Sequence, residues 1–365
     1  MSDAISATGR RLSQIRDSVL GKTATTIPFD PDSTSFPTRH NLPAIPGAPQ
    51  QAAWVWGKDD YVGRINLLTP ARVKAASAEI RTGEMARLDL PTNVPEQPAF
   101  GRQKFEMKIL DLHGGISYDD VYHMNTQSGT QWDGFRHFAH IPSKTFYNNT
   151  HPADVIGPDA NLKCSIHHWS DHGFSGRAVL LDYRSWADAQ GIKYDTATSH
   201  AISYEDLVKV GKWQNGLDIR PASQGGDIKI GDILLIRSGW VEDYYRRTPE
   251  ERARLALRGH GDSHGETACW AGIKQEEAIK DWLHDSYFSA VGGDAPSFER
   301  WPTPENYYLH EYILALWGMP LGEMLDLEKV SQLAKKHNRW TFFFTSSPAN
   351  CPGGVSSHVN GTAIF

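Results

Sequence analysis

The chain has 365 residues, of which 39% are hydrophobic and 22% charged, and its formal net charge is −6. This composition excludes a disordered or fibrous chain, and no basic cluster is present that would bind nucleic acid or an anionic membrane. No apolar run is long enough to span a membrane, and the three cysteines show no metal-ligand spacing. We therefore expect a cytoplasmic protein that binds a small molecule.

The first 50 residues predict an irregular N-terminal arm. They contain many Ser, Thr and Pro residues and show little apolar periodicity, which is typical of loops. The remainder contains no linker-like tract, and nothing in it repeats at a fixed period. The sequence thus predicts an arm at residues 1–50 and one domain at residues 51–365.

Short strands and helices are mixed along this domain. Apolar runs bounded by Gly, Pro, Asp or Ser predict strands at Arg87–Leu90, Ala178–Leu181, Ile233–Ile236, Ser289–Val291 and Thr341–Phe344. Helices are predicted at Ala71–Arg81 (cap Thr69, then Pro70), Tyr204–Val210 (cap Ser203), Pro249–Arg258 (cap Thr248), Lys274–His284, and Leu327–Lys336 (cap Asp326). This mixture predicts a mixed α/β fold.

Sixteen histidines are too many for an isolated one to indicate a site. Most are expected to be polar surface or loop residues, among them His167, His168, His172 and His284. Only a cluster of polar residues is therefore informative.

The densest polar cluster lies between residues 123 and 140. Four of its side chains fall at odd-numbered positions: Gln127, Gln131, Asp133 and His137. A single extended strand would point all four to the same side. Burying them without partners would be costly, so such a strand either lies in solvent or faces a polar cavity. Two glycines within the segment favour the cavity, because glycine in a strand often marks a close approach.

This segment resembles a motif of the cyclase family, which includes bacterial kynurenine formamidases and isatin hydrolases. The family pattern His-x-Gly-Thr-His-x-Asp-x-Pro-x-His aligns with Gln127-Ser-Gly129-Thr130-Gln131-Trp-Asp133-Gly-Phe135-Arg-His137. Gly, Thr, Asp and the last His match, whereas Gln replaces the first two His and Phe replaces Pro. The segment is similar to that of a branch whose motif reads Gln-Ser-Gly-Thr-Gln-Trp-Asp.

Further blocks of the family follow in the same order along the chain. They are Trp56–Asp60, Asn66–Pro70, Gly176–Asp182, Gly231–Trp240, Val291–Glu299, and Leu309 through Glu323. The resemblance runs from about residue 54 to the C-terminus. It implies the swivelling β/α/β fold of the family and a homodimer or homotetramer.

The resemblance also implies a metal site. In metal-using members the first two His and the Asp of the motif bind Zn²⁺ or Mn²⁺, together with a later His and Glu. By position these ligands are Gln127, Gln131, Asp133, His310 and Glu323. The carbonyl oxygen of Gln is a poor zinc ligand and suits Mn²⁺, Mg²⁺ or Ca²⁺, so the replacements leave metal binding open. No organic cofactor is expected.

Three functions stay open at this point. The favoured one is hydrolysis of a small cyclic amide, formamide or lactone by metal-activated water, with His137 as general acid or base. Alternatively, without a metal, Asp133 would orient His137 while the amides of Gln127 and Gln131 donate to an oxyanion. That site would suit a cyclase or dehydratase acting on a natural-product intermediate. The third function is non-catalytic ligand binding.

Gln131 is expected to be catalytic alongside Asp133 and His137. The substrate contacts are predicted to include Gln127, Trp132, Arg237 and Trp240. For the two tryptophans a place in the core is the competing interpretation, and for the arginine a surface ion pair.

Overall fold

The computed structural model describes residues 27–259 and 266–365. Its strands are β1 (Met85–Arg87), β2 (Glu106–Asp111), β3 (Tyr118–His123), β4 (Gln131–Asp133), β5 (Phe174–Leu181), β6 (Ala201–Ile202), β7 (Ile233–Ile236), β8 (Gly272–Ile273), β9 (Ala290–Gly293), β10 (Leu321–Glu323), β11 (Thr341–Ser346), β12 (Ser356–Ser357) and β13 (Thr362–Ile364).

The α-helices of the same ranges are mostly short. They are α1 (Pro70–Ala76), α2 (Pro152–Val155), α3 (His167–His172), α4 (Tyr183–Ala189), α5 (Tyr204–Trp213), α6 (Trp240–Arg246), α7 (Pro249–Ala256), α8 (Glu277–Asp285) and α9 (Glu328–His337). A π-helical segment, Glu311–Leu316, precedes β10. No helix in the described part of the chain has the length and apolarity that crossing a bilayer requires.

A nine-stranded mixed sheet forms the centre of the fold, in the order β1-β13-β11-β5-β7-β9-β10-β4-β12. Strands β5, β7, β9 and β10 are parallel, and the flanking strands pair antiparallel. The central strands are apolar and buried on both faces, as parallel strands covered by helices must be. The predicted mixed α/β fold is confirmed.

Most of the strands and helices predicted from short sequence patterns are present at or near their predicted positions. The strand Ile233–Ile236 is confirmed to the residue, and the hydroxyls of Thr69, Ser203 and Thr248 cap their helices as predicted. The first helix is shorter than predicted, because the chain passes into a 3₁₀ turn after Ala76. Asp326 lies one residue before the observed N-cap position of α9, although its carboxylate accepts the backbone N–H of Glu328 at 3.2 Å.

The described part of the predicted arm, residues 27–50, is irregular apart from the 3₁₀ turn Arg39–Asn41. It packs on the domain. The Arg39 side chain is buried and pairs with Glu277 and Asp281 of α8 at 2.5 and 2.8 Å. Residues 1–26 of the arm lie outside the described residues, and the boundary at residue 50 stays a prediction.

The prediction that His284 is a polar surface or loop residue is wrong, because its side chain is fully buried in helix α8. Its ring lies 5.3 Å from the ring of Trp317, and its carbonyl accepts a hydrogen bond from Arg64. His167 is also buried. Neither position lies in an apolar run that would have signalled burial.

Strands β2 and β3 form an antiparallel hairpin outside the main sheet. Its register places four apolar side chains on one face, and each is more than half exposed: Met107, Ile109, Tyr118 and Tyr122. A two-stranded hairpin is marginally stable by itself in water. We call this surface the hairpin face.

Candidate active site

The strand predicted through Gln127 to His137 is shorter than expected. Only β4 is extended, while Gln127 lies in a turn before it and His137 in a bend after it. The chain leaves the strand at Gly134, where a Cβ atom would lie 2.1 Å from the carbonyl oxygen of Val355. The prediction that one strand points all four side chains the same way is therefore wrong, although the predicted close approach at a glycine is present.

The register of β4 with β10 decides which side chains face the site. Gln131 lies opposite Glu323, and Trp132 lies opposite Gly322. Side chains alternate along a strand, so Gln131, Asp133 and Glu323 share one side of the sheet while Trp132 points to the other. Three residues from two antiparallel strands thus converge at the carboxyl end of β10.

Trp132 belongs to the core. Its indole is fully buried, stacks on Phe174 with a centroid separation of 4.8 Å and donates to Ser346 Oγ at 2.9 Å. The prediction that Trp132 contacts the substrate is therefore wrong. Side chains alternate along β4, so Gln131 and Asp133 face the site while the Trp132 ring is buried on the other side.

The two glutamines donate amide hydrogens to carboxylates, and Gln131 also donates to Gln127. Gln127 Nε2 donates to Asp133 Oδ1 at 2.6 Å, and Gln131 Nε2 donates to Gln127 Oε1 at 2.8 Å and to Glu323 Oε2 at 3.0 Å. One amide hydrogen of Gln127 and those of Gln131 are therefore engaged within the protein. The expected donation by both amides to an oxyanion is therefore not what the structure shows.

His310 joins the cluster from the helical residues Leu309 and His310 that lead into the π-helical segment. Its Nδ1 lies 2.6 Å from Glu299 Oε1, and its Nε2 lies 3.2 Å from Glu323 Oε1 and 3.8 Å from Asp133 Oδ2. Burial alone would lower the pKa of His310, but the hydrogen bonds to Glu299 and Glu323 outweigh it and hold this pKa well above its ordinary value. Glu299 also accepts the backbone N–H groups of Leu309 and His310, which fixes these two residues.

These side chains fit a divalent cation. One ligand atom from each of Asp133, His310 and Glu323 lies within 4.8 Å of the others, and all three residues are buried. Two further acceptors at the same place, Asp133 Oδ2 and Gln131 Oε1, are buried and have no hydrogen-bond partner in residues 27–259 and 266–365. Unpaired buried acceptors are costly, and a cation would satisfy both.

The five predicted ligands therefore come together, with one difference. Gln127 Oε1 already accepts the amide of Gln131, so one of its two lone pairs is engaged, whereas Gln131 Oε1 has no hydrogen-bond partner among the described residues. Carboxylate, amide and imidazole donors remain on Asp133, Glu323, Gln131 and His310.

A cavity of about 300 Å³ opens beside the cluster. Its lining consists of Phe100, Arg102, His137, Phe138, Pro296, Ser297, Trp301, His310 and Glu323. The imidazole of His137 makes no hydrogen bond within the described ranges, so the expected Asp133–His137 pair is not observed. Its position on the cavity wall leaves both ring nitrogens available to a ligand.

Sequence reasoning missed most of the cavity wall. Phe100 and Trp301 pack edge to face at 5.5 Å, and the Arg102 guanidinium lies over Phe100 while donating to the Gln127 carbonyl at 2.6 Å. Ser297 is buried with no partner for its hydroxyl in the described part of the chain. Ser297 lies in a block that carried the family resemblance, but Phe100 and Arg102 lie in no motif.

Arg237 and Trp240 do not line this cavity. Arg237 is buried, binds both carboxylate oxygens of Glu328 at 2.8 and 2.7 Å, and pairs with Asp182 at 3.0 Å. Trp240 stacks on Tyr244 beside a separate space of about 20 Å³. The prediction that these two residues contact a substrate in this cavity is therefore wrong. Ion pairs hold Arg237 elsewhere, and core packing holds Trp240.

The chain belongs to the cyclase family. The family described as "Putative cyclase" matches residues 26–300. The match includes β4 and all of the described arm, so it starts earlier than the expected residue 54, and it ends before His310 and Glu323. No curated protein matches the sequence significantly.

Solved structures share the fold over most of the chain. A structure described as a novel cyclase is 26% identical, covers 86% of this chain and 99% of its own, and has a TM-score of 0.71. Isatin hydrolase A from Labrenzia aggregata, bound to benzyl benzoate, is 17% identical, covers 79% of this chain and 94% of its own, and has a TM-score of 0.51. Isatin hydrolase A from Ralstonia solanacearum is 18% identical, with coverages of 81% and 97% and a TM-score of 0.51.

Proposed function

We propose that this protein is a metal-assisted hydrolase that cleaves a C–N or C–O bond in a small cyclic amide, formamide or lactone. The observation that carries the proposal is the buried cluster of Asp133, His310 and Glu323 on the wall of a cavity that His137 also lines. The names of the isatin hydrolases that share the fold support a hydrolytic reaction. We include in this proposal a specificity for formamides like that of the kynurenine formamidases.

Asp133, Glu323 and His310 would hold the ion, with Gln131 Oε1 as a further ligand. Three of these four donors are oxygen atoms, which favours Mn²⁺ over Zn²⁺. A divalent ion at this place polarises a substrate carbonyl and lowers the pKa of a water molecule.

His137 acts as the general base and acid. Its imidazole removes a proton from the attacking water as the oxygen bonds to the carbonyl carbon. The same proton then passes to the leaving nitrogen or oxygen as its bond to that carbon breaks. Proton transfer of this kind contributes about 10²–10⁴-fold to the rate.

Glu299 and the aromatic residues that line the cavity position the reacting groups. Glu299 orients His310 through Nδ1 and so directs Nε2 at Glu323 and Asp133. Phe100, Phe138 and Trp301 cover the cavity and limit the access of bulk water, which strengthens the electrostatic interactions inside.

A metal-free cyclase or dehydratase is the second candidate. The observation in its favour is that the amides of Gln127 and Gln131 already donate to Asp133 and Glu323, where a metal would otherwise bind. This enzyme would act on a natural-product intermediate. The experiment below distinguishes the hydrolase from this enzyme and from a non-catalytic ligand-binding protein.

The test combines elemental analysis with turnover. The protein is dialysed in parallel against Mn²⁺ and Zn²⁺, and hydrolysis of isatin, an aryl formamide and an aromatic lactone is followed by absorbance. We expect one ion per chain, lost together with turnover in Asp133→Ala. His137→Gln keeps the ion and loses about 10²–10⁴-fold in rate. The exposed His172→Gln is the matched control and keeps both.

Each other outcome selects a different function. Turnover with no bound ion supports the metal-free enzyme. A bound ion with no hydrolysis of any of the three substrates contradicts the proposed substrate class. The absence of both ion and turnover contradicts the hydrolase and leaves the metal-free cyclase or dehydratase and the ligand-binding role.

A further inference from the structure

A second cavity lies away from the candidate active site. It has a volume of about 470 Å³, within the range typical of small-molecule pockets. Gly176 and Arg177 near the start of β5, and Gly231 and Asp232 before β7, form one side of it. It therefore opens at the amino ends of the parallel strands, whereas the Asp133 cluster lies at the carboxyl end of β10.

Arg177 contributes hydrogen-bond donors that the described residues leave unused. Its side chain is only 10% exposed, and its Nη2 donates to the carbonyl of Asp227 at 3.1 Å. Its ion pairs are longer, at 3.7 Å to Glu79 and 3.5 Å to Asp232. The buried Nε has no hydrogen-bond partner within the described ranges. A guanidinium offers five N–H donors, so Arg177 can bind a further acceptor.

The neighbouring carboxylates have other partners. Asp232 accepts the backbone N–H of Lys229 at 2.8 Å, and Glu79 accepts the hydroxyl of Thr341 at 2.9 Å. Arg72 and Lys229 also line the cavity, so its lining carries three cationic side chains and two carboxylates, although the guanidinium of Arg72 donates to the backbone carbonyls of Leu67 and Ser33. The surplus positive charge favours an anionic ligand.

Most of the rest of the lining is apolar and includes Leu68, Ala76 and Ile230, while Thr34 and Ser223 add two hydroxyl groups. A guanidinium matches a carboxylate group through two parallel hydrogen bonds. We propose that this cavity is a second ligand site, which binds a small organic carboxylate with its charged group on Arg177 and its apolar body against Leu68 and Ala76. The site is independent of the reaction proposed above.

The experiment uses benzoate as the probe and benzamide as its neutral counterpart. The full-length protein is titrated with each compound, and binding is measured by saturation-transfer NMR. We expect benzoate to bind at least about tenfold more tightly than benzamide, because only the carboxylate makes charge-assisted bonds to the guanidinium. Arg177→Gln should remove that difference. Arg102→Gln, which alters the guanidinium of the other cavity, is the matched control and should leave it unchanged.

Three results would overturn the proposal. They are the absence of benzoate binding, equal binding of benzamide, and loss of binding in Arg102→Gln with retention in Arg177→Gln. If circular dichroism shows that Arg177→Gln does not fold, Lys229→Gln decides. Lys229 is exposed, so its substitution should be tolerated, and it should weaken benzoate binding severalfold. An unchanged affinity in that variant also overturns the proposal.

Discussion

The buried His284 should make the stability of the fold depend on pH. Burial, together with the charge of Arg64, lowers the pKa of His284 from 6.5 to about 4, although its Nδ1 is hydrogen bonded to Asp285. A shift of this size corresponds to roughly 3 kcal/mol, at about 1.36 kcal/mol per pKa unit. Because the folded-state pKa lies below the unfolded value, this stabilisation is fully present above pH 6.5 and is lost as the pH falls toward 4.

The assay is urea unfolding at about pH 7.5 and about pH 5, where roughly 2 kcal/mol of this contribution should be lost. His284→Gln cannot ionise, so its free energy of unfolding should fall by about 2 kcal/mol less than that of the wild type. The exposed His172→Gln is the control and should follow the wild type. Equal pH dependence in the wild type and in His284→Gln would refute the reasoning, whatever the absolute stabilities.

Three further substitutions test the packing, the buried charges and the hairpin. In Gly322→Ala the new Cβ would lie 2.9 Å from the Trp132 ring, so we expect a loss of about 1–3 kcal/mol in urea unfolding and weaker Mn²⁺ binding in metal titrations. The contacts of Gly293→Ala start at 3.4 Å, so this control should change neither quantity. Arg237→Met removes the arginine partner of the buried Asp182 and should cost about 3–5 kcal/mol, and an unchanged unfolding curve would contradict that. The family resemblance predicts a homodimer or homotetramer, and if the hairpin face forms its interface, Met107→Glu should lower the mass measured by light scattering to that of a monomer; a monomeric wild type contradicts the predicted oligomer.

Elements defined by neighbouring residues were predictable from the sequence. The caps at Thr69, Ser203 and Thr248 each depend on a hydroxyl and a backbone N–H three residues later, so the signal is local. The strand Ile233–Ile236 is an apolar run bounded by turn residues. The family motif likewise indicated which side chains would meet, because the resemblance carried long-range information that composition and periodicity lack.

Features that depend on distant segments were not predictable. The bend that ends β4 at Gly134 is set by the backbone of Val355, far along the chain. Arg237 is at a strand end, where a surface ion pair is common, yet Asp182 and Glu328 converge on it and bury it. The loop that carries Phe100 and Arg102 lines the cavity, but its sequence contains no motif that would indicate this.

The candidate ligands come from distant parts of the chain, with Asp133 on β4, His310 at the start of the π-helical segment and Glu323 on β10. An ion shared by them would act as a removable cross-link between these segments. A ligand that binds only the folded state adds about 2.7 kcal/mol of stability at a hundred times its dissociation constant. The melting temperature should therefore rise on addition of the ion and fall with a chelator. Thermal melting thus reports the occupancy of the site, and ranks metals, before any substrate is known.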